Sequence, residues 1–166
     1  MRTIDLVELA RGGGFVEGEV DAAALPRLAS LLSSPMGRIR YRLDGRIDER
    51  GRSGAVLRIN AHLGLNCDLC GERLEWDVNE TEGFFFVDDE AQLGAFPIEP
   101  NGDEPLVASR TFDLRGLVEE QTILALPISP RHDACEGRPR APVPDKADDG
   151  PFAALARLKR GRSDIQ

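Results

Sequence analysis

Arg38-Ile39-Arg40-Tyr41-Arg42-Leu43 alternates charged and apolar residues without a break. A period of two places Arg38, Arg40 and Arg42 on one face of an extended strand and Ile39, Tyr41 and Leu43 on the other. A charged and Gly-rich stretch at 48–53 reads as a hairpin loop. Ala55-Val56-Leu57-Arg58-Ile59-Asn60-Ala61-His62-Leu63 then returns as a second strand. Residues 72–77 and 82–87 supply a third, with a break expected at Gly83. Together these predict an antiparallel β meander.

Outside the meander, Thr3-Ile4-Asp5-Leu6-Val7-Glu8-Leu9 alternates loosely and reads as a first strand, ended by Gly12-Gly13-Gly14. Phe15-Val16-Glu17-Gly18-Glu19-Val20 continues it past a bulge. Asp21 is the expected N-cap of a helix over 22–32 whose inner face holds Leu25, Leu28, Ala29 and Leu32. Pro26 falls in its first turn, where a missing donor costs little. Asp113 is the expected cap of a second helix, with Leu114, Leu117, Val118, Gln121 and Leu124 facing inward and Pro127 as the stop. Glu119 and Glu120 on that helix are adjacent and point about 100° apart, so they read as a solvated face rather than a carboxylate pair. Residues 88–105 have the acidic, Gly- and Pro-containing composition of a mobile loop.

The fold class that follows is α+β: an antiparallel meander packed with two or three helices. One domain spans 1–135. A flexible linker rich in Pro, Asp and Gly spans 136–150, and a short amphipathic helix with a tail spans 151–166, its apolar face made of Phe152, Leu155, Ala156 and Leu158.

With 166 residues the chain is long enough to bury a sizeable core. No stretch nears the ~20 apolar residues of a membrane span, and the first residues do not read as a signal peptide. Three cysteines, an odd number, fit a reducing cytosol, so a soluble cytoplasmic protein with no membrane partner is expected. Nineteen Arg against two Lys is a skew of genome composition before it is one of function.

The net charge of −8 counts against simple nucleic-acid binding, yet the charges are segregated. Residues 38–58 hold seven Arg and three acids, whereas residues 72–104 hold eleven acids and one Arg. Arg38, Arg40, Arg42, Arg46 and Arg58 are therefore the candidate RNA-binding residues, with Arg50 and Arg52 extending their surface across the hairpin. The alternative is that these arginines pair with the protein's own acidic segment.

The second focus of chemistry is Asn66-Cys67-Asp68-Leu69-Cys70-Gly71. Cys67 and Cys70 have the spacing of a zinc knuckle, and His132 and Cys135 repeat it as a mixed pair, so four candidate ligands come in two pairs. Three readings stay open: a structural zinc site, a redox Cys-x-x-Cys, and a metal-free turn with a histidine nearby. Asp68 disfavours a thiolate and so the redox reading. One Cys pair counted alone leaves the metal-free turn ahead. No catalytic constellation emerges: the Gly triplet lacks the Lys-Ser/Thr of a phosphate loop, and His62 has no nucleophile beside it. No small-molecule substrate is implied.

Several segments, taken in order, resemble the YceD family of large ribosomal RNA subunit accumulation proteins. They are Leu65-Asn66-Cys67-Asp68-Leu69-Cys70, Phe112-Asp113-Leu114-Arg115-Gly116-Leu117-Val118-Glu119-Glu120-Gln121, the exit Leu124-Ala125-Leu126-Pro127, His132 with Cys135, and Pro151-Phe152-Ala153-Ala154-Leu155-Ala156-Arg157-Leu158-Lys159. The similarity runs over about 37–159. It implies a non-enzymatic factor for the synthesis, processing or stability of 23S ribosomal RNA in ribosome biogenesis, acting by binding. The large-subunit RNA or a ribosomal protein is the implied partner, and an acidic chaperone or adaptor for a basic ribosomal protein is the alternative role. Some relatives carry further cysteines that resemble a small zinc ribbon; here that region holds only His132 and Cys135.

Overall fold

A computed structural model of the chain describes residues 3–96 and 102–135, which fall within the compact unit Met1–Cys135. The expected linker and C-terminal helix lie outside the described residues.

The meander forms as its alternation predicts. Strands β2 (Phe15–Asp21), β3 (Arg38–Ile47), β4 (Ser53–Asn66) and β5 (Arg73–Val87) pair antiparallel in that order. A short strand, β6 (Glu104–Val107), adds to β5 in parallel, so the five-stranded sheet is mixed at this end. A two-residue bridge between β1 (Thr3–Ile4) and β7 (Phe112–Asp113) forms a separate small sheet. Ile39, Leu43, Leu57, Ile59, Leu63 and Val78 point to one side and are buried there with Leu6, Leu28, Leu114, Leu117 and Val118 of the helices. One face of the sheet is thus core and the other carries the charges.

Several expectations are corrected. Residues 3–9 are not one strand. After β1, Asp5 accepts from the amide of Glu8 and starts helix α1 (Leu6–Gly12), which Gly13 closes at φ 57°. Leu6, Leu9 and Ala10 fit a helical stripe as well as a strand pattern, and the cap decides between them. The helix expected over 22–32 is interrupted. Leu25 precedes Pro26 and is extended, as the proline ring demands, so a 3-10 turn (Ala22–Ala24) and a single helical turn α2 (Pro26–Ala29) replace it, and Asp21 makes no side-chain cap.

Residues 88–105 are not simply a loop. A 3-10 segment (Glu90–Ala95) and β6 flank the undescribed positions 97–101, and Phe96 meets Phe85 edge-on with ring centroids 4.7 Å apart. A few apolar residues (Phe96, Leu106, Val107) pin a stretch whose composition is otherwise acidic. β5 also runs unbroken through Gly83, where any side chain would collide with Asp103.

Helix α3 (Leu114–Leu124) is capped by Asp113, which accepts from the amide of Arg115 at 3.2 Å. Leu114, Leu117, Val118 and Gln121 are buried as expected, but Leu124 is 69 % exposed. Glu119, expected in solvent, is only 8 % exposed. It accepts from the amides of Arg27 at 2.7 Å and Leu28 at 3.2 Å, and so caps α2, which has no capping side chain of its own.

Candidate metal centre and the open sheet face

The turn at 67–72 joins β4 to β5. Its geometry comes from backbone hydrogen bonds: the amide of Gly71 to the carbonyl of Cys67 at 2.8 Å, and the amide of Cys67 to the carbonyl of Glu72 at 2.8 Å. Gly71 sits at φ 78°, the left-handed conformation that a Cβ would penalise. A third bond, from the amide of Asp68 to the carbonyl of Pro130 at 2.9 Å, ties the chain after α3 to this turn.

That tie brings the two ligand pairs together. One donor atom each from Cys67, Cys70, His132 and Cys135 lies within 4.8 Å of the others. Cys67 Sγ is 3.8 Å from Cys135 Sγ, and Cys70 Sγ is 3.6 Å from His132 Nδ1. A tetrahedral zinc ion with Zn–S near 2.3 Å and Zn–N near 2.0 Å requires ligand–ligand edges of roughly 3.5–3.8 Å. Both of these edges fit. His132 Nε2 lies 3.1 Å from the carbonyl of Arg73, a partner that fixes the ring and leaves Nδ1 for the cluster.

The electrostatics of the cluster are uneven. Cys67 is buried, yet its thiol is pulled down to about 5 by the amide of Cys70 first and, against the cost of burial, by the amides of His132 and Leu69. Asp68, expected to oppose a thiolate, is exposed. At Cys70 the amide of Glu72 favours the thiolate, but burial and the neighbouring thiols of Cys135 and Cys67 outweigh it and push this thiol up. His132 rises to about 8, held first by the carbonyl of Arg73 and then by Cys135 and Cys67. Of these three groups only Cys67 is favoured in the deprotonated form a metal ligand needs; a cation would have to displace the protons of Cys70 and His132.

The uncovered face of the sheet is the second candidate. Register sets its side chains in rows across β2, β3, β4 and β5: Asp21–Arg38–His62–Asp77, then Glu19–Arg40–Asn60–Asn79, then Glu17–Arg42–Arg58–Thr81. Arg38, Arg40, Arg42 and Arg58 are between 41 % and 75 % exposed, and all are paired. Arg38 meets Glu19 at 3.2 Å and Asp21 at 3.5 Å, Arg40 meets Glu19 at 3.6 Å, and Arg42 meets Glu17 at 3.0 Å. Asp44 binds Arg42 at 2.9 Å and Arg58 as well; with Glu17 it raises the Arg42 pKa against partial desolvation. Arg42 also lies 3.8 Å over the ring of Phe15. Arg46 stands apart from these four at the rim, bound to Asp103. Arg52 pairs with Asp48 in the hairpin loop and covers the ring of Phe85 at 4.1 Å.

The arginines do pair with the protein's own acids, but with β2 and Asp44 more than with the acidic segment at 72–104. Glu17, Glu19 and Asp21 were missed as site residues. Their alternation was legible; that β2 would lie beside β3 was not. His62 is held by Asp77 at 2.6 Å and Glu75 at 3.3 Å.

Fold and cluster define a class: an α+β protein whose sheet is covered on one face and whose central hairpin carries a Cys3His set closed by the chain after α3. A family model described as "Large ribosomal RNA subunit accumulation protein YceD" matches residues 55–159, and the chain belongs to the YceD family. That name describes an accumulation factor and ties the chain to the large-subunit ribosomal RNA. The match takes in both halves of the Cys3His set; of the five candidate arginines, only Arg58 falls inside it. No solved structure matches the chain. No helix among the described residues is long and apolar enough to cross a membrane.

Proposed function

We propose that the chain serves large-subunit ribosomal RNA accumulation in the cytoplasm as a non-enzymatic binding factor, and that the open face of the sheet meets RNA. The observation that carries this reading is the array itself: Arg38, Arg40 and Arg42 spaced by two along β3, with Arg58 opposite Arg42, on an uncovered surface. Exposed ion pairs contribute only about 0–1 kcal/mol each. A phosphate can therefore take the place of Glu17, Glu19 or Asp21 beside a guanidinium, and the released counterions favour the exchange. Asn60 and Asn79, in the same row as Arg40, add donors and acceptors suited to sugar and base edges.

In this reading Cys67, Cys70, His132 and Cys135 hold a zinc ion. Four protein ligands leave no open position for water or substrate, so the ion is structural: it fixes the chain after α3 to the β4–β5 hairpin. Protein purified without chelator should carry one zinc per chain by elemental analysis. Ultraviolet crosslinking in cells tests the interface: crosslinked large-subunit RNA should map to peptides from β3 and β4.

A second reading, an adaptor for a basic ribosomal protein, is favoured by the charge balance of the same face. There Glu17, Glu19, Asp21, Asp44 and Asp77 outnumber the four arginines. Crosslinks to a basic protein, with none to RNA, would decide for it.

A further inference from the structure

Strand β2 pairs with β3 along one side, and among the described residues no strand pairs with its other side. The phase of the ladder shows what that edge presents. Gly45 donates to the carbonyl of Gly14 at 2.8 Å, Ala22 donates to the carbonyl of Gly37 at 2.9 Å, and the register between them runs without a bulge. Hydrogen-bonded and non-hydrogen-bonded pairs alternate in an antiparallel ladder. Even-numbered residues therefore bond to β3, and the N–H and C=O groups of Phe15, Glu17, Glu19 and Asp21 point outward.

Exposed strand edges are usually blunted by proline, lysine, a bulge or a covering element. Phe15-Val16-Glu17-Gly18-Glu19-Val20-Asp21 has no proline, lysine or bulge; what it has is three acids on alternate positions. Two copies of β2 laid edge to edge would set these acids against one another, which disfavours self-pairing. A cationic strand meets the opposite situation. Charge on the open face already alternates from β2 (acidic) to β3 (basic), and a strand added outside β2 continues the alternation if it is basic. Its intervening side chains would turn toward a hollow of about 380 Å³ at the edge, lined by Val20, Ala24, Tyr41 and Leu114 together with the charged Glu19, Asp21 and Arg115.

We propose that the outer edge of β2 accepts an extended basic peptide by strand addition, its Lys or Arg residues beside Glu17, Glu19 and Asp21 and its alternate apolar residues over the hollow. This site rests on the adaptor reading and gives that reading a location.

The test uses the full chain, isotope-labelled, with a synthetic peptide alternating lysine and valine and a control alternating glutamate and valine. The lysine peptide should protect the amides of Phe15, Glu17, Glu19 and Asp21 from hydrogen exchange, and the glutamate peptide should not. Glu17→Lys with Glu19→Lys should weaken binding by about tenfold or more, as two cross-strand attractions become repulsions. Glu17→Pro removes an outward donor and no bond to β3, so it should abolish protection in a folded protein. Should that variant fail to fold, N-methylation of the peptide on its bonding edge makes the same test from the other side. Binding that leaves these four amides unprotected would overturn the edge site while the adaptor reading stands. No binding anywhere would remove both. Protection that grows with protein concentration in the absence of peptide would assign the edge to a second copy and overturn the proposal.

Discussion

Glu119→Ala is the substitution whose cost the structure specifies most closely. Glu119 is 8 % exposed, and its carboxylate accepts from two backbone amides, at 2.7 and 3.2 Å, at the start of a helical turn that has no cap of its own. A hydrogen bond to a charged group contributes about 1.5–3 kcal/mol, and two bonds to one carboxylate add less than twice that. Truncation also strands the amide of Leu28, a residue that is itself buried. The expected loss is roughly 2–4 kcal/mol. Glu119→Gln keeps one acceptor oxygen without the charge and should lose about 1 kcal/mol. Glu120→Ala, on the exposed side of α3, should stay within about 0.5 kcal/mol of the parent. Equilibrium urea denaturation followed by circular dichroism measures all three. If Glu119→Ala and Glu120→Ala share a midpoint, Glu119 is not the cap of α2 and the packing of α3 on α2 is wrong.

Leu117→Ala, at a buried position of α3, should cost about 2–4 kcal/mol in the same assay; an unchanged midpoint would mean the helix is phased differently. Cys70→Ser should drop bound zinc from one per chain to none while the sheet persists, because the sheet has its own core; the checks are elemental analysis and far-ultraviolet circular dichroism. The Asp77 hydrogen bond raises the His62 pKa above its ordinary value near 6.5. The contribution of that pair to stability is therefore complete below about pH 6.5 and fades as pH rises through the folded-state pKa. An NMR titration should place His62 above 6.5, with Asp77→Asn lowering it; a midpoint indifferent to that substitution would show the pair to be broken in solution.

Alternation was the readable part of this chain. Ile39, Tyr41 and Leu43, and then Ala55 to Leu63, announced β3 and β4 because a half-buried strand repeats every two residues and nothing nearby competes with that pattern. Asp113 announced α3 because its cap is local. What could not be read was set by contacts distant in sequence. The cap of α2 comes from Glu119, 92 residues after Arg27. The pairing of β2 with β3 decides which acids neutralise the arginines, and a fold-level choice of neighbour leaves no mark in either strand alone. The Cys3His set lay between: spacing marked each pair, but contacts such as Asp68 to Pro130 and His132 to Arg73 bring them to one point. Leu25 is a different case, legible in the sequence, since a residue before proline resists the helical conformation.

The claim that the open face binds RNA is tested most directly by a salt series on Arg38→Gln, Arg40→Gln and Arg42→Gln combined in one chain. Each of these side chains is exposed and held by exposed or partly exposed acids, with Arg42 also over the Phe15 ring, so the triple variant should fold. If the three guanidiniums meet phosphate, log Kd against log salt should flatten by about 2–3 for single-stranded or helical large-subunit RNA, and binding at low salt should weaken. A folded triple variant that binds the same RNA with parental affinity and parental slope across the series would contradict the account.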